Sequence, residues 1–284
     1  MALTDPRPTS EQLDQSYSEA YYGPENVKFV SPVERFVRWQ TAQRARWIHR
    51  LIPGNSRVLE LGCGRGALLE ELAQLGHEAY GTERSELAAR RARRSVGVHV
   101  FSEDLQDCRF PSDRFDAVIL WHVLEHLGDV SSALEEICRI LRPQGVLILE
   151  VPNLDSLQAT LSGRHWFHLD VERHLYHFGP NNIRSLLTRH GFRPGPIGTF
   201  SLEQGPYGVL QSAMNHFSDE PELLYRILKR EIRLSRWQSL VQYGSGALLF
   251  LPAIVFACFE AAVGRGSVLR IVAPKAGVTP TSPP

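Results

Sequence analysis

The chain has 284 residues, 43% of them hydrophobic and 22% charged, and its 31 Lys+Arg offset 31 Asp+Glu. That length can bury a full core as one domain with an elaboration, and a balanced charge gives no electrostatic case for general nucleic-acid binding. The four cysteines (Cys63, Cys108, Cys138, Cys258) form no CxxC pair, which fits a reducing, cytoplasmic setting and argues against a thiolate metal site.

Met1 to Ser10 is polar with two prolines and reads as disordered, and Asp5 with the prolines in place of a basic and apolar run indicates no signal peptide. Tyr17, Tyr21 and Tyr22 precede Gly23-Pro24. Such a cluster either caps a ligand or docks a terminal segment. Pro32 to Ile52 is predicted as a helix with Val33, Phe36, Val37, Ala45 and Ile48 on its apolar face, ended by Pro53-Gly54, and Val58 to Leu61 reads as a buried strand. Gly62, Gly64 and Gly66 follow at once, then Leu68, Leu69 and Leu72 at helical spacing. Strand, glycine turn and helix is a nucleotide-binding layout, because glycines let backbone N–H groups approach a ligand at the positive end of a helix.

Further on, Glu78 to Thr82 is the second strand, and Ser85 to Ser95 is an arginine-rich helix whose charges read as a solvated face. Strands at Val96 to Phe101, Phe115 to Leu120 and Val146 to Val151 follow, with a helix at Val130 to Leu141 stopped by Pro143 and Gly145. Asn181 to His190 is a helix with Asn181 as cap and Gly191 as stop. A sixth strand is expected within Phe192 to Leu202 and a last one at Ser267 to Ala273. Strands alternating with helices at this spacing mean an α/β fold with a parallel sheet covered on both faces.

The glycine motif alone leaves two cofactors open. Gly62, Gly64 and Ala67 satisfy a relaxed dinucleotide fingerprint, with Glu83 at the distance that holds ribose hydroxyls, yet the same features suit S-adenosylmethionine. Asp104 ends the third strand, where a carboxylate can accept from an adenine amino group. FDAVILWHVLEHL then carries Trp121, His122, Glu125 and His126 off the fourth strand, and LRPQGVLILEVPN closes the fifth. As a set, ELGCGRG, Glu83, Asp104, LWHVLEHL and LRPQGVLILEVPN resemble the class I S-adenosylmethionine-dependent methyltransferases, in a bacterial methyltransferase-domain family related to the ubiquinone-type O-methyltransferases. The resemblance runs roughly from Tyr21 to Leu202.

The resemblance implies a Rossmann-like, doubly wound, seven-stranded sheet whose last strand is antiparallel, with Ser267 to Ala273 as that strand beside the fifth. It also implies roles at matching positions. Gly62, Gly64 and Gly66 pass the methionine part of the cofactor, with Glu60 supporting its amino group. Glu83 holds the ribose hydroxyls, Arg84 flanks adenine, Asp104 and the Leu105 backbone read the adenine edge, and Trp121 lines the pocket near the sulfonium. The family often has Asp where this chain has Glu83. The expected reaction is in-line transfer of the sulfonium methyl to a small-molecule or lipid-like acceptor, O-methylation favoured. An oxygen acceptor loses a proton, and His126 is one candidate base, unless it packs the helix start beside Glu125.

The stretch GRHWFHLDVERHLYHFGP, Gly163 to Pro180, is rich in histidine. Its spacing lacks HExxH or another helical metal set, so no metal is expected. It resembles the same family's segment after the fifth strand and reads as an acceptor-site wall, with Trp166 and Arg173 contacting substrate and His174 as contact and second candidate base. No Asn-Pro-Pro-aromatic motif follows the fourth strand, which disfavours nucleic acid as acceptor. An NAD-dependent oxidoreductase and a non-catalytic cofactor-binding protein are the rival readings.

The expected organisation is an N-terminal segment at 1–26, a core of 27–202 plus 267–274, a helical insert at 203–266 and a disordered tail at 275–284. Within the insert, Trp237 to Phe259 carries no charge. Arg226, Lys229, Arg230, Arg233 and Arg236 precede it. A strand at 267–273 paired in the sheet puts both ends of the insert on one side, which argues against a single span, and Pro252 should kink a straight helix. A buried helix, a dimer contact and peripheral membrane contact through 219–264 remain, the last placing the protein on the cytoplasmic face of a membrane.

Overall fold

A computed structural model describes residues 1–9, 12–13, 29–218, 220–229, 231–232 and 234–277. The tyrosine cluster at 17–22, Arg230, Arg233 and positions 278–284 of the expected disordered tail lie outside these residues. The elements run β1 (Ala2–Leu3), α1 (Ser31–His49), β2 (Arg57–Leu61), α2 (Ala67–Gln74), β3 (Glu78–Thr82), α3 (Glu86–Ala92), β4 (Val98–Phe101), β5 (Phe115–Trp121), α4 (Val130–Ile140), β6 (Leu141–Pro152), α5 (Leu157–Ser162), β7 (Tyr176–His177), α6 (Pro180–Arg189), α7 (Gln204–Asn215), α8 (Leu223–Leu228), α9 (Arg236–Ala262) and β8 (Val268–Pro274). They fall into two compact units. The described residues of 42–149, 181–197 and 271–277 form a sheet unit, and those of 1–41, 150–180 and 198–270 form a helical unit.

The sheet has the order β4-β3-β2-β5-β6-β8. β2 pairs in parallel with β3 and with β5, and β3 with β4. The order therefore reverses between β2 and β5, the switch point where open α/β sheets bind ligands beyond their strand ends. Val58, Leu59 and Ala117 to Leu120 are fully buried, as expected of central strands covered on both faces. On one face Val58, Ala117 and Ile119 pack with Ala45, Ile48, Leu68 and Leu72; on the other Ala79, Val98 and Val100 pack with Leu69, Ala89 and Ala92. Helix starts are fixed by short polar side chains: Ser85 accepts from Ala88 N and Asp129 from Ser132 N.

Local differences from the sequence expectations have physical causes. In the sheet unit Lys275 N donates to Gly145 O (2.9 Å), and in the helical unit Asn153 N donates to Ser267 O (2.9 Å), so β6 and β8 run antiparallel. Among the described residues the sheet has six strands, one fewer than expected. Arg193 N and Gly195 N do donate to Pro274 O and Val272 O. Pro274 has no N–H to return the bond, and Pro194 and Pro196 have none either, so 192–202 makes only isolated bridges. Asn181 is not the cap of α6 but lies in its first turn behind Pro180, which suits a helix start because its missing N–H has no intrahelical partner there anyway. The N-terminus is ordered where disorder was expected. β1 pairs antiparallel with β7, and Thr4 Oγ1 donates to His174 O at 2.6 Å, because the two-residue β7 offers backbone groups that an extended segment satisfies.

In the helical unit α9 is one continuous helix of 27 residues with Pro252 inside it. Ser235 and Gln238 form a capping box at its start. Leu210, Met214 and Leu224 of α7 and α8 cluster with Ala253. A Cβ at Gly205 would lie 3.3 Å from that of Ala257, so these helices approach closely through small residues. Glu260 is fully buried. Its Oε1 accepts from Gln158 Nε2 (2.6 Å) and its Oε2 from Gln158 N (3.1 Å), fixing α9 on the N-terminus of α5.

Candidate functional site

The sheet unit gathers its polar side chains at the C-terminal ends of β2, β3 and β5, where Leu61 is level with Thr82 and Leu120. The turn after β2 requires glycine at two points. Gly62 has φ +61°, and a Cβ there would lie 2.8 Å from Val123 Cγ2; Gly66 has φ +79°, and a Cβ there would lie 2.8 Å from that of Ala92. At Gly64 a Cβ would meet nothing among the described residues within 4 Å, so the space over the turn is open. Gly64 N instead donates to Glu83 Oε2 at 2.8 Å, while Ser85 N donates to Glu83 Oε1 at 2.8 Å. Glu83 is thereby buried and held by two backbone amides, one from the glycine turn and one from the start of α3.

Glu60 is a poorly compensated acid in the unit. It is buried near the end of β2, and among the described residues its Oε2 has no hydrogen-bond partner. Burial pushes its carboxyl up to about 8; the Arg44 guanidinium opposes that shift and the Glu83 carboxylate adds to it. An orphaned acid beside an open glycine turn fits a cationic amino group, and Glu83 fits vicinal hydroxyls. The donor set therefore suits the amino-acid and ribose parts of S-adenosylmethionine. The neighbouring Cys63 thiol is buried and pushed far up, so it stays neutral.

Arg84 and Asp104 lie at the rim, both more than half exposed, with Nε and Oδ1 3.6 Å apart. Leu105 is buried behind them. Trp121 ends β5. The Arg44 guanidinium sits 3.9 Å from its ring centroid and Trp47 meets it edge-on at 6.4 Å. Arg44 went unnoticed in the sequence because α1 was read only for its apolar residues. The available signal was a cation four residues before the buried Ile48. Beyond Trp121, His126 closes a short turn, its N–H donating to Val123 O at 3.0 Å, and His122 Nδ1 lies 3.3 Å from the buried Glu125 Oε1.

The other predicted residues belong to the helical unit. Trp166 is 3% exposed, with its indole N–H 3.4 Å from Gln158 Oε1. Arg173 grips Asp170 with two contacts, Nε to Oδ1 at 3.0 Å and Nη2 to Oδ2 at 2.7 Å. His174 Nδ1 lies 3.0 Å from His168 O. A carbonyl can only accept, so Nδ1 carries the proton and Nε2 lies 3.8 Å from Asp170 Oδ2. Glu222, unremarked in the sequence, is pushed up to about 7 by burial and by Asp170, with Arg173 opposing.

A family model described as a methyltransferase domain matches residues 35–194. Two relatives are named ubiquinone biosynthesis O-methyltransferase. The one from Alkalilimnicola ehrlichii is 36% identical over 34% of this chain and 42% of its own length. The one from Bradyrhizobium diazoefficiens is 31% identical over 35% of this chain and 41% of its own length. The aligned part is thus less than half the length of these relatives. A SAM-dependent methyltransferase structure from Archaeoglobus fulgidus superposes with a TM-score of 0.54 at 21% identity, covering 84% of this chain and 94% of that one, and so shares the fold.

Proposed function

The chain belongs to the methyltransferase-domain family, whose cofactor is S-adenosylmethionine, and on that premise we propose that it methylates an oxygen of a small-molecule or lipid-like acceptor. The observation that carries the reading is Glu60, a buried acid without a partner for Oε2 beside an open glycine turn. When bound, the cofactor supplies a methyl group activated by its sulfonium. Glu60 accepts from the cofactor's ammonium, and Glu83, already aimed by two amides, accepts from the ribose hydroxyls. Asp104 and the Leu105 amide read the adenine edge, with Arg84 flanking it. Trp121, backed by Arg44, walls the reacting end and excludes water. The choice of oxygen rests on the two relatives, whose names specify O-methylation. His126 and His174 are the residues that would take the acceptor's proton, and Trp166 and Arg173 belong to the acceptor wall.

Titration calorimetry with S-adenosylhomocysteine and with NAD tests the cofactor. Heat with the first and none with the second is expected, and the reverse overturns the reading. Labelled-methyl transfer into a cell extract then tests the reaction. Label in a solvent-extractable product is expected, with His126→Ala or His174→Ala lowering kcat about 100-fold while S-adenosylhomocysteine affinity holds. Label confined to protein would remove the small-molecule acceptor.

A further inference from the structure

The helical unit carries a surface that the methyl-transfer chemistry does not use. α9 turns Gly246, Ala253, Ala257 and Glu260 inward and leaves its large side chains outside. Trp237, Leu240, Leu248, Leu251, Val255 and Phe259 are each more than half exposed. They recur every three or four residues or at multiples of that spacing, so they line one stripe over most of a helix about 40 Å long. The sequence from 237 to 259 contains no charged residue. The one acid that follows, Glu260, is turned away from the stripe and bound by Gln158. Small residues and that buried acid fix the rotation of the helix, so the stripe cannot roll inward.

We propose that this stripe seats the protein on the surface of an anionic lipid bilayer, with α9 lying in the plane of the interface. Three observations select lipid over a protein partner. A protein interface of this length carries a hydrogen-bonding group every 100–200 Å² or so, whereas the stripe offers acyl chains an almost purely apolar face. Trp237 and Tyr243, exposed near one end, have the polar-tipped rings that favour the headgroup level. The segment 226–236 just before that end holds five basic residues and one acid, the complement of an anionic leaflet. Lys229 is turned inward onto Glu231 and Arg226 lies 3.5 Å from Glu220, which leaves the exposed Arg236 as the described basic residue for that role. By length and composition α9 could cross a membrane, with 22% of its most apolar window buried. It packs against α7 and α8 from Gly246 to Ala257, and that one-sided packing favours lying along the surface.

Flotation of the full chain with phosphatidylcholine vesicles, with and without phosphatidylglycerol, tests this independently of any methyl transfer. The protein should float with the anionic vesicles. The double variant L248E/L251E, altered only at exposed positions, should lower the vesicle-bound fraction at least about tenfold, and R236Q should lower it by about fivefold. A thermal melt checks that the variants remain folded. Trp237 provides a readout without a charge change: brominated phosphatidylcholine should quench the native chain more than W237F. Failure of the native chain to float overturns the proposal, as does equal flotation of L248E/L251E or equal quenching of W237F. A dimer in sedimentation that L248E/L251E dissolves, without flotation, would assign the stripe to a second copy instead.

Discussion

Glu60 and Glu260 are both buried carboxyls pushed up by desolvation, to about 8 and about 7, yet their surroundings differ. Glu260 in the helical unit has both oxygens bound by Gln158, and it locks one helix onto another. Glu60 in the sheet unit has an oxygen with no partner among the described residues. A buried acid satisfied within its own unit is part of the scaffold; one left wanting at strand ends is held ready for something that arrives later. α9 in the helical unit turns small residues inward and keeps its large apolar ones outside, while β2 and β5 in the sheet unit bury theirs.

Glycine gives the largest expected contrast. Gly66→Ala in the sheet unit should cost about 3 kcal/mol, the sum of a left-handed backbone and a 2.8 Å approach to Ala92 Cβ, measured as a lower urea midpoint at unchanged slope. Glu260→Ala comes next, at about 2 kcal/mol, because it strands a buried Gln158 that donated to a carboxylate. No loss of stability there would mean that the pair does not anchor α9.

Glu60→Gln should separate stability from binding. A carboxyl raised in the folded state binds its proton more tightly than in the unfolded chain. Its unfavourable contribution is therefore absent below the unfolded value near 4.5 and grows as pH rises through about 8. Glu60→Gln should leave thermal stability unchanged near about pH 4 and raise it by about 1 kcal/mol near about pH 9, while weakening S-adenosylhomocysteine binding at least about tenfold. In the native protein, placing an ammonium beside Glu60 favours the ionised form. Binding near neutral pH should then release a proton, seen as a calorimetric enthalpy that varies with the buffer's ionisation enthalpy and loses that dependence in Glu60→Gln. The smallest effect has the opposite sign to the first: Gly244→Ala, on an exposed stretch of α9 with nothing described within 4 Å, should stabilise by about 0.8 kcal/mol.

These contrasts also mark where the sequence was readable. β2 and β5 were placed within a residue because strands buried on both faces must be apolar runs, while β3, EAYGT, followed from its place in the alternation of strands and helices; the glycines and Glu83 follow directly from the ends of β2 and β3. β6 begins at Leu141, five residues before the expected Val146. Pro143 and Gly145 looked like a stop, but a strand tolerates both near its beginning. Arg44 was missed because it reaches Trp121 of β5 from α1, far away in the chain, and one-dimensional spacing does not report which cation lies over which ring. Which face of α9 is outward was equally hidden. The segment 237–259 is uncharged all round, and Gly246, Ala253, Ala257 and Glu260, once seen in contact with α7, α8 and α5, distinguish the sides.

The prolines that cost the sheet its seventh strand have a benefit. Arg193 and Gly195 turn their amides toward β8, so the alternate positions, Pro194 and Pro196, fall on the side facing away. Proline has no hydrogen to offer a newcomer. The margin of the sheet is consequently unreceptive to a strand from another molecule, which guards concentrated protein against fibrous growth.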